Sequence, residues 1–302
     1  MDIAIQQSVD KFSGINTVDS ATRLFPIAIS RTEQVYPLQQ ANNVDIDNTY
    51  AISSRSGFTT VLTGTDIHSL WSDNVTMLYV DGVIFYKLDT VYNQVIIRSD
   101  LFAGARMSYA SFNDRIYYTN EHQIGYISKD VDNALMTPAR EFKEPLPAGQ
   151  FIEVHKGCLL VAKDNILYIS DPLCDYYDVR TGYRIFNKRI TMLRSIVDNG
   201  IYVSDDQVWF IKGKGNDEFA RDGVFPSPAI PYTDILVAGK YVDDSIDGDV
   251  AIWTSENGIC LGDNSGKVVN LTEARYTFTA RGRGTAFVRD KNNVRHYINS
   301  LY

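Results

Sequence analysis

The chain has 302 residues, 44% of them hydrophobic, which is enough for one large repeat-built domain or two ordinary ones. Its formal net charge is −8, from 29 Lys and Arg against 37 Asp and Glu. That balance argues against a protein that grips nucleic acid through phosphate contacts, though not against an acidic wall past which DNA slides without sticking.

The N-terminus, "MDIAIQQSVDKFSG", lacks a basic start followed by an apolar core, so it does not read as a secretory signal. Residues 1–48 are expected to form an N-terminal arm. Its "TRLFPIAISRTEQVYPLQQ" stretch has helical spacing only in patches, so the arm is read as extended with room for one short helix. Next comes "NNVDIDNTYAISSRSGFTTV", which alternates like a strand-turn-strand unit ahead of the regular part of the chain.

From Leu70 onward six similar units follow: Leu70 to Leu88, Tyr109 to Ser128, Phe151 to Ser170, Met192 to Lys212, Ile235 to Gly262 and Tyr276 to Asn299. Each reads as strand, turn, strand, turn, strand. The turns are rich in Asn, Asp and Gly ("FND", "VDNG", "KDN", "SENG"), which tolerate positive φ or bond their own backbone. The runs between them, such as "RIYYT", "ILYIS" and "VWFIK", alternate with period two. Abundant Tyr (19) and Phe (14) suit such half-buried strands.

The second turns, marked by Gly82, Glu121, Asp164, Asp206, Asn257 and Asn292, recur at a mean spacing of about 42 residues. A repeat of that length with four short strands is the signature of a β-propeller blade. "NQVIIRSDL" and "GKVVNLTEA" read as outer fourth strands, and "YDVRTGYRIFNKR" fits the same role. "KDVDNALMTPAREFKEPLPAG" and "GKGNDEFARDGVFPSPAIPYTD" read as irregular. The sixth unit ends at Tyr302 without an outer strand, and an open edge is a liability in a ring. The expectation is an all-β fold: a propeller of about six four-stranded blades over residues 49–302, in which Thr49 to Leu62 completes the C-terminal blade.

Chemistry is sparse. HExxH, GxSxG, GxGxxG and Walker signatures are missing, as are the SxDxGxxW repeats of sialidases, recurring WD dipeptides and kelch glycine pairs. His68, His122, His155 and His296 lie in different units at unlike positions and read as surface or strand histidines. "DDSIDGD", Asp243 to Asp249, has calcium-loop spacing at Asp243, Ser245 and Asp247. Its twelfth position is Thr254 where a bidentate Glu is needed, so it reads as a solvated turn. Arg275, Arg281, Arg283, Arg289 and Arg295 make the sixth unit locally basic, which suits turn solubility or contact with a phosphate or an acidic partner. Trp71, Trp209 and Trp253 read as blade core. Cys158, Cys174 and Cys260 form no CxxC pair and read as reduced thiols of a protein made in the cytoplasm. No run of roughly 18 apolar residues suggests a membrane span. No catalytic residue, metal site or cofactor is expected, and no enzyme activity.

The N-terminal third carries a resemblance. Phe12, Gly14, Ile15 and Asn16, then Asn43 to Asn48, then Arg55, Gly57, Phe58 and Thr59 match in order the segments that open a group of tailed-bacteriophage structural proteins. The chain resembles the β-propeller tail hub, nozzle and packaged-DNA stabilisation proteins of short-tailed phages, specifically over about Phe12 to Val61. The resemblance implies a virion protein, assembled in the host cytoplasm, that forms a ring with itself, typically a hexamer, below the portal and adaptor. Such a ring extends the channel for double-stranded DNA, helps retain and deliver the genome without reading its sequence, and meets tail-fibre or other tail proteins. The chain is shorter than the larger relatives, which carry insertions or a distal domain. Two other classes stay open on the residues alone: a receptor- or carbohydrate-binding propeller on the virion surface, and a propeller enzyme such as a glycosidase, which needs paired carboxylates converging on one face.

Overall fold

A computed structural model describes residues 12–15, 27–29, 34–38, 40, 44–46, 51–54, 59–73, 75–196, 200–213, 219–243, 245–273, 282–291 and 294–302, and their regular elements are almost all strands joined by turns and loops. In the arm, β1 (Phe12–Ile15), β2 (Ile27–Ala28) and β3 (Gln34–Leu38) make a small sheet with β3 in the middle, parallel to β1 and antiparallel to β2. Where this stretch is described it forms strands; residues 16–26, 30–33 and 39, on which the expected short helix falls, lie outside the described residues. Pro37 sits inside β3 and would break a helix, while β-branched Ile27, Ile29 and Val35 favour an extended chain. β4 (Val44–Ile46) and β5 (Ile52–Ser54) pair as a separate hairpin.

Five complete four-stranded antiparallel meanders follow. Blade 1 holds β6 (Ile67–Ser72), β7 (Met77–Asp81), β8 (Ile84–Leu88) and β9 (Gln94–Arg98). Blade 2 holds β10 (Ser108–Phe112), β11 (Arg115–Thr119), β12 (Ile124–Ser128) and β13 (Val131–Asn133). A short strand, β14 (Lys143–Pro145), precedes blade 3. Blade 3 holds β15 (Phe151–His155), β16 (Cys158–Lys163) and β17 (Ile166–Ile169). The chain then makes β18 (Tyr176–Asp178), which pairs with β14, before β19 (Tyr183–Ile185) completes the blade. Blade 4 holds β20 (Met192–Ile196), β21 (Gly200–Ser204), β22 (Val208–Lys212) and β23 (Ala220–Phe225). Blade 5 holds β24 (Ile235–Ala238), β25 (Asp249–Ser255), β26 (Gly258–Gly262) and β27 (Val268–Asn270).

The expected outer strands appear as β9, β19 and β27. The two stretches read as irregular also supply strands: the first gives β13 and β14, and the second gives β23. Turn chemistry drives the tight hairpins. At Asn113-Asp114, Lys129-Asp130 and Lys156-Gly157 both central residues have positive φ, the type I′ geometry that matches strand twist.

The sixth position differs from expectation. It presents one long hairpin, β28 (Gly284–Lys291) with β29 (Val294–Leu301), and β28 takes the innermost place. The "DKNN" sequence therefore joins β28 to β29, while the part of the sixth unit from Tyr276 to Arg281, ahead of them, lies outside the described residues. Of the segment expected to close the ring, Ile52–Ser54 pairs with Val44–Ile46, while residues 49–50 and 55–58 lie outside the described residues. No ladder joins β4 or β5 to β28 or β29 among the described residues. The two hairpins meet through an ion pair, Arg289 Nη2 to Asp45 Oδ2 at 2.7 Å.

The core is a set of inter-blade seams. Leu78, Val80 and Phe85 meet Met107, Tyr118 and Ile127 between blades 1 and 2. Ala110 and Tyr117 meet Ile152, Leu159 and Val161 between blades 2 and 3. Leu160, Ala162 and Leu167 meet Leu193, Ile201 and Val203 between blades 3 and 4. Tyr202 and Phe210 meet Ala251, Trp253 and Cys260 between blades 4 and 5. Each fully buried aliphatic or Phe side chain in these seams contributes roughly 1.5–3 kcal/mol. Cys158 and Cys260 are buried free thiols, and the free thiol of Cys174 is half-buried. Burial pushes the Cys260 thiol up to about 11.

Candidate functional site

The first strand of every blade faces a common axis. Together β6, β10, β15, β20, β24 and β28 line an open cavity of about 670 Å³. A second cavity of about 480 Å³ lies at one end, walled by the loops that lead into those strands: 102–106, 150–151, 189–191, 231–232 and 282–283, with the 121–122 turn. Arg106, Phe151 and Tyr232 border both spaces, so they mark the step from mouth to axis. Both volumes fall in the range of small-molecule sites.

The axis carries fixed charge. Arg194 on β20 donates from Nε and Nη2 to Asp234 Oδ2 at 2.8 and 2.7 Å, and from Nη1 to Glu153 Oε2 at 3.1 Å. One guanidinium thus ties blades 3, 4 and 5 together. Burial opposes its charge, but Asp234 and Glu153 outweigh that and hold its pKa above the ordinary value. Burial pushes the Glu153 carboxyl up, with Arg194 opposing.

On β6, a bulge between His68 and Trp71 puts Ser69 at φ 56°. Ser69 Oγ accepts from Met107 N at 2.9 Å and lies 2.7 Å from His68 Nδ1, and Ser69 O accepts from the Tyr109 hydroxyl at 3.1 Å. The arrangement that uses both roles of the serine has it donate to Nδ1, which leaves the ring proton on Nε2. His68 Nε2 is enclosed and has no hydrogen-bond partner among the described residues. Burial, aided by Arg106 and opposed by Asp66, lowers the His68 pKa.

At the mouth, the Arg106 guanidinium lies 5.3 Å from the ring centroid of Tyr232, and its Nε is likewise enclosed without a partner among the described residues. Tyr232 is held at φ 64°, a costly conformation for a bulky side chain. Its ring packs 5.1 Å from Phe151. Burial pushes its hydroxyl up to about 12; Glu121 adds to this, while Arg106, Arg189 and Arg283 oppose it. Arg189 donates to Glu121 at 2.7 Å and to Asp164 at 3.2 Å. Arg283 is exposed and lines the same opening. The rings of Phe102 and His122 stack at 3.7 Å and form another wall.

The residues singled out from sequence scatter. His68 lies on the axis and His122 at the mouth. His155 is buried between Ser195 and the Gly213 carbonyl, and His296 lies 3.2 Å from Arg289. Asp243 Oδ1 accepts from Ser245 N and Oγ at 2.8 and 2.6 Å, so it closes a local turn. The basic sixth unit is not one patch. Arg283 is at the mouth, Arg289 pairs with Asp45, and Arg295 pairs with Asp290 and stacks 3.9 Å over Tyr241. Arg275 and Arg281 lie outside the described residues. Trp253 is core and Trp209 packs against the seam of blades 3 and 4, but Trp71 also lines the axis. Sequence reading missed Arg106, Arg189, Tyr232 and Arg194. The signal was present: Arg106, Arg189, Tyr232 and Arg283 each stand one to three residues ahead of an innermost strand.

No family model matches the chain, and no curated protein matches it. Solved structures do. BBS1N, solved in complex with ARL6DN, is similar with a TM-score of 0.50 at 13% identity, over 86% of this chain and 86% of that one. Virginiamycin B lyase from Staphylococcus aureus is similar with a TM-score of 0.49 at 12% identity, over 80% of this chain and 86% of that one. The WD40 beta propeller domain of Doa1 gives 0.44 at 11% identity, over 70% of each chain. At 13% identity the likeness to BBS1N speaks to the fold and to nothing further; the all-β propeller is read from the blade meanders themselves.

Proposed function

We propose that the chain is a structural protein of a short-tailed phage virion, and that its copies pack side by side in a ring that extends the DNA channel. The motifs from Phe12 to Thr59 supply the family resemblance. The observation that carries the assembly is the rim. Val95 and Ile96 on β9, Val131 on β13, Ile185 on β19 and Val269 on β27 are outer-strand residues with 42–59% of their surface exposed. Aliphatic side chains on open sheet edges invite pairing with another chain, and a neighbouring copy covers them. The net charge of −8 keeps such a ring from trapping DNA by counterion release.

The test is native mass spectrometry and negative-stain imaging of the protein, alone and with portal and adaptor proteins. The expected result is a closed ring with an open lumen, dispersed to monomers in an Ile96→Lys, Ile185→Lys double variant. A monomer that ignores the adaptor at every concentration would sink the reading and favour a surface-binding propeller.

A further inference from the structure

We propose that the mouth of the propeller axis is a binding site for a small ring compound bearing an oxyanion, a phosphate or a carboxylate. Nothing in this proposal depends on ring assembly. Three guanidiniums from three different blade entrances, those of Arg106, Arg189 and Arg283, surround one opening on an otherwise acidic protein. Among the described lining residues the one carboxylate is Glu121, and it is taken up by Arg189, which Asp164 also engages from outside the lining. Arg106 and Arg283 have no ion pair among the described residues. The Arg106 Nε is enclosed by the protein, so an arriving oxyanion would meet the outer nitrogens of Arg106 and Arg283 on the cavity side, through short charge-assisted bonds.

The site is also held in shape. Tyr232 keeps a left-handed backbone so that its ring lies beneath the Arg106 guanidinium and against Phe151. Strain of that kind at a cavity mouth is a mark of functional positioning. The side chain of Gln123 accepts from Phe102 N at 3.1 Å and donates to Asp100 O at 2.9 Å, which fixes the loop that ends at Arg106. The aromatic faces of Tyr232, Phe151 and Phe102 suit the apolar face of a sugar or other ring. A cavity of about 480 Å³ holds a monosaccharide-sized compound and not a polymer duplex.

Isothermal titration at low salt, with inorganic phosphate, a hexose phosphate, glucuronate and neutral glucose as probes, tests the site. The ring oxyanions should bind, neutral glucose should not, and whether the phosphate or the uronate binds more tightly identifies the source of the anion. Arg283→Gln, on an exposed loop with no packing to lose, and Arg106→Gln should each weaken binding by about tenfold or more, the loss of one charge-assisted contact. Arg295→Gln, remote from the mouth, should leave it unchanged. Added salt should weaken binding in step. Failure of every oxyanion probe to bind at millimolar concentration overturns the proposal, as does unaltered affinity in Arg283→Gln. Native mass spectra of the same variants separate this from assembly: loss of binding should leave the oligomer intact.

Discussion

Among the described residues, twelve buried side chains interlock between blades 3 and 4, whereas beside blade 6 the buried set is three side chains of blade 5, Val250, Ile252 and Leu261, with half-buried Tyr297 packed against them. The first seam is a dry hydrophobic wall. The second relies on polar contacts. The Tyr297 hydroxyl donates to Thr233 O at 2.6 Å and meets Thr254 Oγ1 at 2.8 Å, to which Asn299 Nδ2 also donates at 2.7 Å. Successive blades bury apolar area against the neighbour just before them, so those seams form from contacts local in sequence. The last hairpin must be placed against a blade already built and next to the start of the ring. Directional hydrogen bonds fix that placement where little apolar area is on hand.

The largest effect should come from the dry seams. Trp253 is fully buried between blades 4 and 5, so Trp253→Ala should lose about 3–5 kcal/mol in denaturant unfolding, through lost transfer energy and the cavity left behind. A loss under about 1 kcal/mol would mean that the seams do not dominate stability. Smaller and more local is Tyr297→Phe. It removes two hydrogen bonds and leaves Thr254 Oγ1 short of an acceptor, a cost of about 1–3 kcal/mol. Hydrogen exchange should show the protection of β28 and β29 falling while β16 and β21 stay protected. A uniform fall across all blades would erase the distinction between the two kinds of seam.

The same contrast explains what the sequence made legible. Blades 1 to 5 announce themselves because each hairpin repeats its own turn chemistry, as at Asn113-Asp114 and Lys156-Gly157, and that information is local. At the sixth position "RGRG" looks like a hairpin turn as much as "DKNN" does, and the axis shows which of the described strands is innermost, β28. β23 was hidden by the glycine and charge of "FARDGVF", since its ladder with β22 carries a register shift. The axial residues were obscured for another reason. Arg106, Arg189 and Tyr232 lie some 40 residues or more apart in sequence and converge only through the circular symmetry of the fold. Arg194 looked like an ordinary strand residue, because its partners Glu153 and Asp234 belong to the blades on either side.

The smallest effect concerns whether the N-terminal hairpin belongs to the closure at all. Arg289 and Asp45 pair at 2.7 Å with 14% and 18% of their side-chain surface exposed, so the bond is better shielded than an ordinary surface pair. A double-mutant cycle of Asp45→Asn and Arg289→Gln should give a coupling of about 1 kcal/mol, the upper end for partly exposed pairs. The cycle is the right instrument because Arg289 also lies 3.2 Å from His296 Nδ1, so either single substitution disturbs more than the pair. A coupling of that size means that the segment ahead of blade 1 bears on the last hairpin and that the two ends of the chain stabilise each other. A coupling near zero leaves β28 and β29 held by their contacts with blade 5: the Tyr297 network, the stacking of Arg295 on Tyr241 and the bond from Gly284 N to Pro231 O.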